Sequence, residues 1–311
     1  MSVAYRHQIV LAAGAMLAAV LLAVEPGTLS AQTAPTTGAL TDSVLPALRR
    51  AATMVPGEAP RAVRYLAFNR LTGRASDVLE GGTGDSVPAA HVVFQIAYDR
   101  GWLMVDAGMD RELAGGSPRF SAEAYARVQQ ALQGARLIVL THEHSDHVAG
   151  VIRSPFAADV DGKTLLTRAQ VQTLLGRPDR PQVRIDSARA SRFLRVDYDH
   201  VLPIAPGVAL LRAAGHTPGS QMVYVRLATG REVILAGDVA WAMAGVEQQR
   251  QKPAAVSRAL GEDRTAVGAQ LAWLHRMAAA GVAVVVAHDA AWLTELERRG
   301  VLHSTLDVQR P

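Results

Sequence analysis

The chain has 311 residues, of which 49% are hydrophobic and 19% charged, and this composition excludes intrinsic disorder. Its formal net charge of +4, without a long run of one sign, does not indicate a nucleic-acid binder. Because the sequence has no cysteine, disulfides and thiolate nucleophiles are excluded, and any metal site must use histidine and carboxylate ligands.

The first 31 residues have the features of a secretory signal peptide. Arg6 precedes an apolar run at residues 9–24, and the small residues Ser30 and Ala31 offer a cleavage point. The run is shorter than the roughly 20 apolar residues that span a bilayer, and a retained membrane anchor is the alternative. We expect an exported protein, periplasmic or secreted, with no stable membrane span after cleavage and no nucleic-acid partner.

The following segments predict a tether and then an α/β domain. Residues 32–60 are rich in Ala, Thr and Pro, which is typical of a tether, with one short helix at residues 43–52. From residue 61 to residue 311, short apolar runs alternate with helical patterns. Strands are predicted at residues 92–97, 103–105, 137–140, 164–167, 208–213, 222–227, 233–236 and 282–287. Helices are predicted at residues 121–132, 168–175, 265–280 and 294–299.

Five of these strands lead directly into a residue that can bind a metal. These residues are Asp106, His142, His216, Asp238 and His288. Side chains that follow strands converge on one edge of a sheet. A single histidine after a strand is usually a hydrogen-bonded structural residue, but five metal-capable residues in series are hard to explain in that way. The series therefore predicts one shared polar site.

The densest cluster is the pattern H-x-H-x-D-H at residues 142–147. In extended backbone, residues two apart point to the same side, so His142 and His144 can bind one ion. If the chain turns into a helix at Asp146, then Asp146 and His147 can point toward a second ion. A solvated polar loop is the alternative, but chance rarely places three histidines and one aspartate at these offsets. The pattern predicts a metal site.

Five motifs resemble, in order and spacing, those of the metallo-β-lactamase superfamily. They are Val105-Asp106-Ala107-Gly108, the H-x-H-x-D-H run, Gly215-His216-Thr217-Pro218-Gly219-Ser220, Gly237-Asp238 and His288-Asp289. The resemblance implies that the α/β domain of residues 61–311 is a four-layer αβ/βα sandwich. It also implies that two metals lie in a groove at one edge of the two sheets.

The same resemblance implies a role for each metal-capable residue. The first zinc would be held by His142, His144 and His216. The second zinc would be held by Asp146, His147 and His288, and Asp238 would bridge both. Asp106 would fix the ligand loop through hydrogen bonds. Histidine and carboxylate sets also accept Mn, Fe or Co.

Such a site predicts a hydrolase of small molecules. Two divalent ions roughly 3.5–4 Å apart can share a water and lower its pKa toward neutrality, which supplies a hydroxide without a protein nucleophile. The hydroxide can attack the carbonyl of an ester, lactone, lactam or thioester. Asp146 is the candidate catalytic residue, because a free carboxylate oxygen there could accept the proton and pass it to the leaving oxygen.

Within the superfamily, the pattern is most similar to the acyl-homoserine-lactone lactonases and their exported relatives. This similarity rests on an aspartate at the bridging position, on the ending Ala287-His288-Asp289 and on the lack of an added carboxyl-terminal domain. Those lactonases have a tyrosine three residues after the bridging aspartate, where this chain has Trp241. Either Trp241, together with Met243, forms the apolar walls of an altered acyl pocket, or Trp241 packs beneath the loop.

Other functions stay open from the sequence. They are a β-lactamase-type or thioesterase-type hydrolase, a mononuclear-iron dioxygenase that oxidises persulfides, and a metal-binding module without catalysis. The complete second-metal set favours hydrolysis over the dioxygenase. Neither His91 nor Glu143 is assigned a role, since His91 does not follow a strand and the side chain of Glu143 is expected to point away from the ions. The oligomeric state is not predicted.

Overall fold

The computed structural model describes residues 40–84 and 86–308. The predicted signal peptide at residues 1–31 and the first part of the predicted tether, residues 32–39, lie outside the described residues. Within the described ranges, no helix combines the length and the apolar character needed to cross a membrane.

The described residues form twelve strands and eleven α-helices. The strands are β1 (Ala62–Arg74), β2 (Ser86–Ala97), β3 (Trp102–Val105), β4 (Leu137–Val139), β5 (Thr164–Thr167), β6 (Leu194–Val196), β7 (Val201–Ala205), β8 (Val208–Arg212), β9 (Gln221–Arg226), β10 (Glu232–Leu235), β11 (Ala283–Val285) and β12 (Leu302–His303). The helices are α1 (Val44–Ala51), α2 (Ala75–Val78), α3 (Ala122–Gly134), α4 (Ser145–Ile152), α5 (Ala157–Val160), α6 (Arg168–Leu175), α7 (Ser187–Ala190), α8 (Met243–Glu247), α9 (Ala254–Leu260), α10 (Arg264–Ala279) and α11 (Ala290–Arg298).

Two mixed sheets bring the ends of the ligand-bearing strands to one edge. The first sheet has the order β12-β1-β2-β3-β4-β5-β6, and the second has the order β11-β10-β9-β8-β7. Strands β3 and β4 are parallel, as are β10 and β11. Strand β8 runs in the same direction as β10, because both are antiparallel to β9. The loops that follow these five strands therefore leave from the same edge of their sheets.

Alternating side chains of the central strands enter different hydrophobic layers. Leu103 of β3 and Val223 of β9 meet in the layer between the two sheets. Met104 of β3 packs outward against helices α3 and α4, and Tyr224 of β9 packs outward with helices α1 and α10. Because both faces of each sheet are covered, the layers run helix, sheet, sheet, helix. This architecture confirms the predicted four-layer sandwich.

All eight predicted strands and all four helices predicted in the domain are present, with differences mainly at their ends. Strands β1, β6, β7 and β12 were not predicted. Strand β1 carries polar residues along its length, β6 and β7 are edge strands, and β12 has only two residues. Edge strands bury less apolar surface, so their sequences give a weaker periodic signal.

The predicted helix at residues 43–52 is α1, and it packs on the second sheet. Leu45 and Leu48 are buried in the hydrophobic layer between that sheet and helix α10. The guanidinium of Arg49 donates two hydrogen bonds to Glu232 of β10, at 2.8 and 2.6 Å, and the hydroxyl of Tyr224 donates a third. The hydrogen bonds from Arg49 lower the pKa of the Glu232 carboxyl below its ordinary value.

We expect Glu232→Gln to lower the free energy of unfolding by about 1 kcal/mol at neutral pH, because it removes a bidentate ion pair. Because the pKa of Glu232 is lowered in the folded state, this contribution is present above pH 4.5 and is lost as the pH falls further. Urea unfolding at pH 7 and pH 3 measures the difference. Arg49→Met should match Glu232→Gln at pH 7, whereas Arg50→Met, on the exposed face of the same helix, is the control. If Glu232→Gln lowers the free energy of unfolding by the same amount at pH 7 and pH 3, the stabilising Arg49–Glu232 ion pair is contradicted.

Candidate metal centre

Seven side chains meet at the shared edge of the two sheets, in two groups. The first group comprises His142, His144 and His216. The second group comprises Asp146, His147, Asp238 and His288. Within each group, the candidate ligand atoms all lie within 4.8 Å of one another. The structure thus brings together all seven residues that the sequence predicts as metal ligands.

The start of helix α4 sorts the H-x-H-x-D-H residues between the two groups. Strand β4 ends at Val139, and His142 and His144 lie on the extended loop before the helix, whereas Asp146 and His147 lie in its first turn. Asp179 fixes this start from outside the helix, because its carboxylate accepts hydrogen bonds from the backbone N–H of Ser145 at 3.1 Å and from its hydroxyl at 2.7 Å.

The atoms face one another at the spacing of metal ligands. Bonds of 2.0–2.1 Å to a tetrahedral ion place neighbouring ligand atoms about 3.3 Å apart. His144 Nδ1 lies 3.0 Å from His216 Nε2. In the second group, Asp238 Oδ1 lies 3.3 Å from His147 Nε2, and Asp238 Oδ2 lies 3.1 Å from His288 Nε2. Asp238 Oδ2 is also 3.8 Å from His216 Nε2, so this carboxylate faces both groups.

Three atoms of the cluster are buried without a hydrogen-bond partner. They are His142 Nε2, His147 Nε2 and Asp238 Oδ1. A buried polar atom without a partner costs about 1–3 kcal/mol, and unsatisfied atoms of this kind call for an ion or another explanation. The donor set of imidazole nitrogen and carboxylate oxygen suits zinc and its first-row neighbours. The residues therefore fit a pair of divalent ions.

The electrostatics of the two groups differ. Burial lowers the pKa of His142 well below its ordinary value and that of His216 to about 4, so both imidazoles are neutral and keep a lone pair for a metal. Burial also acts on His147, but the carboxylates of Asp146 and Asp106 overcome it and raise the pKa of His147 well above its ordinary value. The second group therefore lies in a negative field that attracts a cation.

Asp106 connects the end of β3 to the ligand loop. Its backbone has φ of 63°, an uncommon conformation for a residue other than glycine. Its carboxylate accepts hydrogen bonds from the Thr141 N–H at 2.7 Å and from His147 Nδ1 at 2.8 Å. Helix α4 approaches this loop so closely that a Cβ at Gly150 would lie 1.9 Å from the Ala107 oxygen. These contacts fix the orientation of the His147 ring.

Two residues to which the sequence assigns no role lie at the site. Glu143 points away from the ligand atoms, as expected, but it is buried and accepts hydrogen bonds from Thr217 Oγ1 at 2.8 Å and Gly219 N–H at 3.2 Å. It therefore ties the His142 loop to the His216 loop. His91 of β2 lies with Nε2 3.9 Å from Asp146 Oδ2, and Asn69 Nδ2 donates to its Nδ1 at 3.2 Å.

Trp241 contacts the carboxylate that faces both groups. Its indole N–H donates to Asp238 Oδ2 at 2.8 Å, and its half-buried ring stands edge-on to His288 with 6.4 Å between centroids. Met243, the other predicted pocket wall, is buried in the hydrophobic layer on the outer face of the second sheet. Its backbone N–H donates to Asp289, which also caps helix α11. The pocket-wall prediction therefore depends on Trp241.

The family model for the metallo-beta-lactamase superfamily matches residues 87–287 of this chain. The search of curated proteins found no match to this chain. Among solved structures, an N-acyl homoserine lactone hydrolase with the product N-hexanoyl-L-homoserine at its catalytic metal centre has a TM-score of 0.58 and 16% identity, covering 76% of this chain and 96% of that one.

Two further structures show the same fold. A probable metal-dependent hydrolase from Staphylococcus aureus has a TM-score of 0.58 and 12% identity, over 75% of this chain and 91% of that one. AidC, a dizinc quorum-quenching lactonase, has a TM-score of 0.51 and 12% identity, over 73% and 86% respectively. At these identities the likeness establishes the fold.

We expect Asp106→Asn to weaken divalent-ion binding at the second group by roughly 10-fold to 100-fold. Both carboxylate oxygens of Asp106 accept hydrogen bonds, and an amide offers only one acceptor oxygen. Competition with a chelator measures the affinity. Asp110→Asn, which removes the same charge four residues along the loop, should bind ions as the unmodified chain does. Equal affinities for all three proteins would show that Asp106 does not position His147.

Proposed function

Since this chain belongs to the metallo-beta-lactamase superfamily, we propose that it is a dinuclear-metal hydrolase of carboxylic esters, with lactones as its favoured substrates. The observation that carries the proposal is the Asp238 carboxylate, which belongs to the second group of candidate ligands and also lies 3.8 Å from His216 Nε2 of the first group. The likeness to structures of N-acyl homoserine lactone hydrolases supports the choice of lactones.

We assign the three histidines of the first group to one ion and the second group to the other, with Asp238 between them. Zinc is the proposed metal, and Mn, Fe or Co suit the same ligands. When bound, two such ions supply a water of lowered pKa and polarise a carbonyl. The remaining task of the protein is to hold the ester in place and to move a proton.

Asp146 is the proposed proton carrier. Its side chain is 22% exposed, more than those of His147 and Asp238 beside it, so it is accessible to solvent. Burial raises the pKa of Asp146, but the imidazoles of His147 and His288 lower it further, and the net pKa lies well below the ordinary value. The carboxylate is therefore ionised at neutral pH. We propose that it accepts a proton during hydrolysis and delivers it to the leaving oxygen.

His91 is placed to assist at the same position. Because Asn69 donates to its Nδ1, the proton of neutral His91 is on Nε2, which faces Asp146 at 3.9 Å. Burial lowers the pKa of His91 to about 4, so the ring is neutral at physiological pH. We propose that this N–H stabilises the Asp146 carboxylate, or an oxygen atom of a substrate beside it, by donating a hydrogen bond.

The function can be tested with a panel of N-acyl homoserine lactones, simple lactones, thioesters, β-lactams and phosphodiesters on the zinc-loaded protein. We expect lactones to be turned over fastest, and Asp146→Asn to lower kcat by roughly 100-fold or more. Metal content is measured in parallel, and His144→Ala is the inactive control. If the protein instead contains about one iron per chain and consumes oxygen when a persulfide is added, it is a dioxygenase and not a hydrolase. If a thioester or a β-lactam is hydrolysed fastest, the protein is still a hydrolase but lactones are not its favoured substrates.

We also propose that the protein is exported. In a bacterial host, the full chain should appear in the periplasm or medium with its amino terminus at Gln32, as determined by mass spectrometry of the intact protein. An unprocessed chain in the membrane fraction would instead establish residues 9–24 as an anchor.

A further inference from the structure

A buried ion pair lies directly behind the first group of candidate ligands. Glu262, between helices α9 and α10, places Oε1 2.6 Å from His216 Nδ1 and 2.6 Å from Lys252 Nζ. The side chains of Glu262 and Lys252 are 0% and 1% exposed. The sequence pattern gave neither residue a role. Charged side chains are rarely this deeply buried unless they are paired, so this ion pair is a specific part of the structure of the site.

The lysine also holds the turn that carries Asp238. Its ammonium group donates to the backbone oxygen of Asp238 at 2.7 Å and lies 3.4 Å from that of Val239. It lies 5.2 Å from the centroid of the Trp241 ring, and the N–H of Trp241 donates to Asp238 Oδ2. The three donors of Lys252 are therefore committed to this turn and to Glu262.

The carboxylate of Glu262 decides which nitrogen of His216 is free. Because Glu262 can only accept a hydrogen bond, it holds the proton of a neutral His216 on Nδ1. The lone pair is then on Nε2, which faces His144 Nδ1 at 3.0 Å. A carboxylate behind a ligand histidine fixes its tautomer and orientation and raises its basicity as a ligand.

We propose that Lys252 and Glu262 are positioning residues that join His216 of the first group and the Asp238 turn into one rigid unit. This inference rests on the proposed function only in requiring that a divalent ion binds at His142, His144 and His216. Ion binding at the first group then depends on a salt bridge that touches no ion. This unit also holds the Asp238 carboxylate at a fixed distance from the first group of candidate ligands.

The test compares Glu262→Gln, Lys252→Met and the double variant, with exposed Glu247→Gln as the control. Each single variant leaves a buried charge unpaired and should lower the melting temperature of the metal-free protein by about 10 °C. The double variant removes both charges and should recover most of that loss. Zinc affinity, from competition with a chelator, should fall roughly 10-fold to 100-fold in Glu262→Gln and stay low in the double variant. In the control, both quantities should be unchanged.

A second measurement determines the tautomer of the His216 imidazole directly. Long-range ¹H–¹⁵N correlation spectra of the metal-free protein should show His216 protonated on Nδ1, and a mixture of tautomers in the double variant. If the double variant regains both stability and zinc affinity, or if Glu262→Gln binds zinc as the unmodified chain does, the pair is structural only and the proposal fails. Neither measurement uses a substrate, so an inactive protein in the hydrolysis panel would overturn the proposed function and leave this inference standing.

Discussion

The structure depends on the concentration of imidazole and carboxylate groups at one buried edge of two sheets. Atoms such as His142 Nε2 and Asp238 Oδ1 are buried without partners, and this arrangement costs free energy until cations occupy the space between them. A fold can keep such a cluster only on a rigid frame. The frame here is the pair of sheets, because strands packed on both faces fix where each ligand loop begins.

Three buried carboxylates outside the ligand groups cross-link these loops. Asp106 joins the loop after β3 to His147, Glu143 joins the two histidine loops, and Glu262 joins His216 to the Asp238 turn through Lys252. A buried carboxylate needs several donors, so each one fixes the relative positions of the segments that supply them. In a chain without cysteine, these charge-assisted hydrogen bonds hold the loops where a disulfide otherwise could.

The apolar runs and the H-x-H-x-D-H pattern predicted α/β strands that end at a shared metal site, and the resemblance to the metallo-β-lactamase superfamily implied the four-layer fold and the full set of seven ligands. Apolar runs mark the buried strands, and the residue after each run has its place fixed by the sheet. The supporting residues could not be predicted in this way. A bulge in β1 sets Asn69 opposite His91, which lies beside Asp146, and Lys252 reaches Glu262 across a loop and a helix. Pairings of this kind depend on register and tertiary packing, which leave no periodic signal.

Trp241 shows how a single departure from the lactonase pattern acquires a physical explanation. A tyrosine at this position has a hydroxyl that can both donate and accept, whereas an indole only donates, and here it donates to Asp238. While that hydrogen bond is made, Trp241 cannot donate to a substrate carbonyl. Its ring face instead lies beside the ammonium of Lys252, a cation that would otherwise be buried with fewer favourable contacts. The tryptophan thus belongs to the support of the Asp238 carboxylate, since its N–H donates to that carboxylate and its ring lies beside the lysine that holds the same turn.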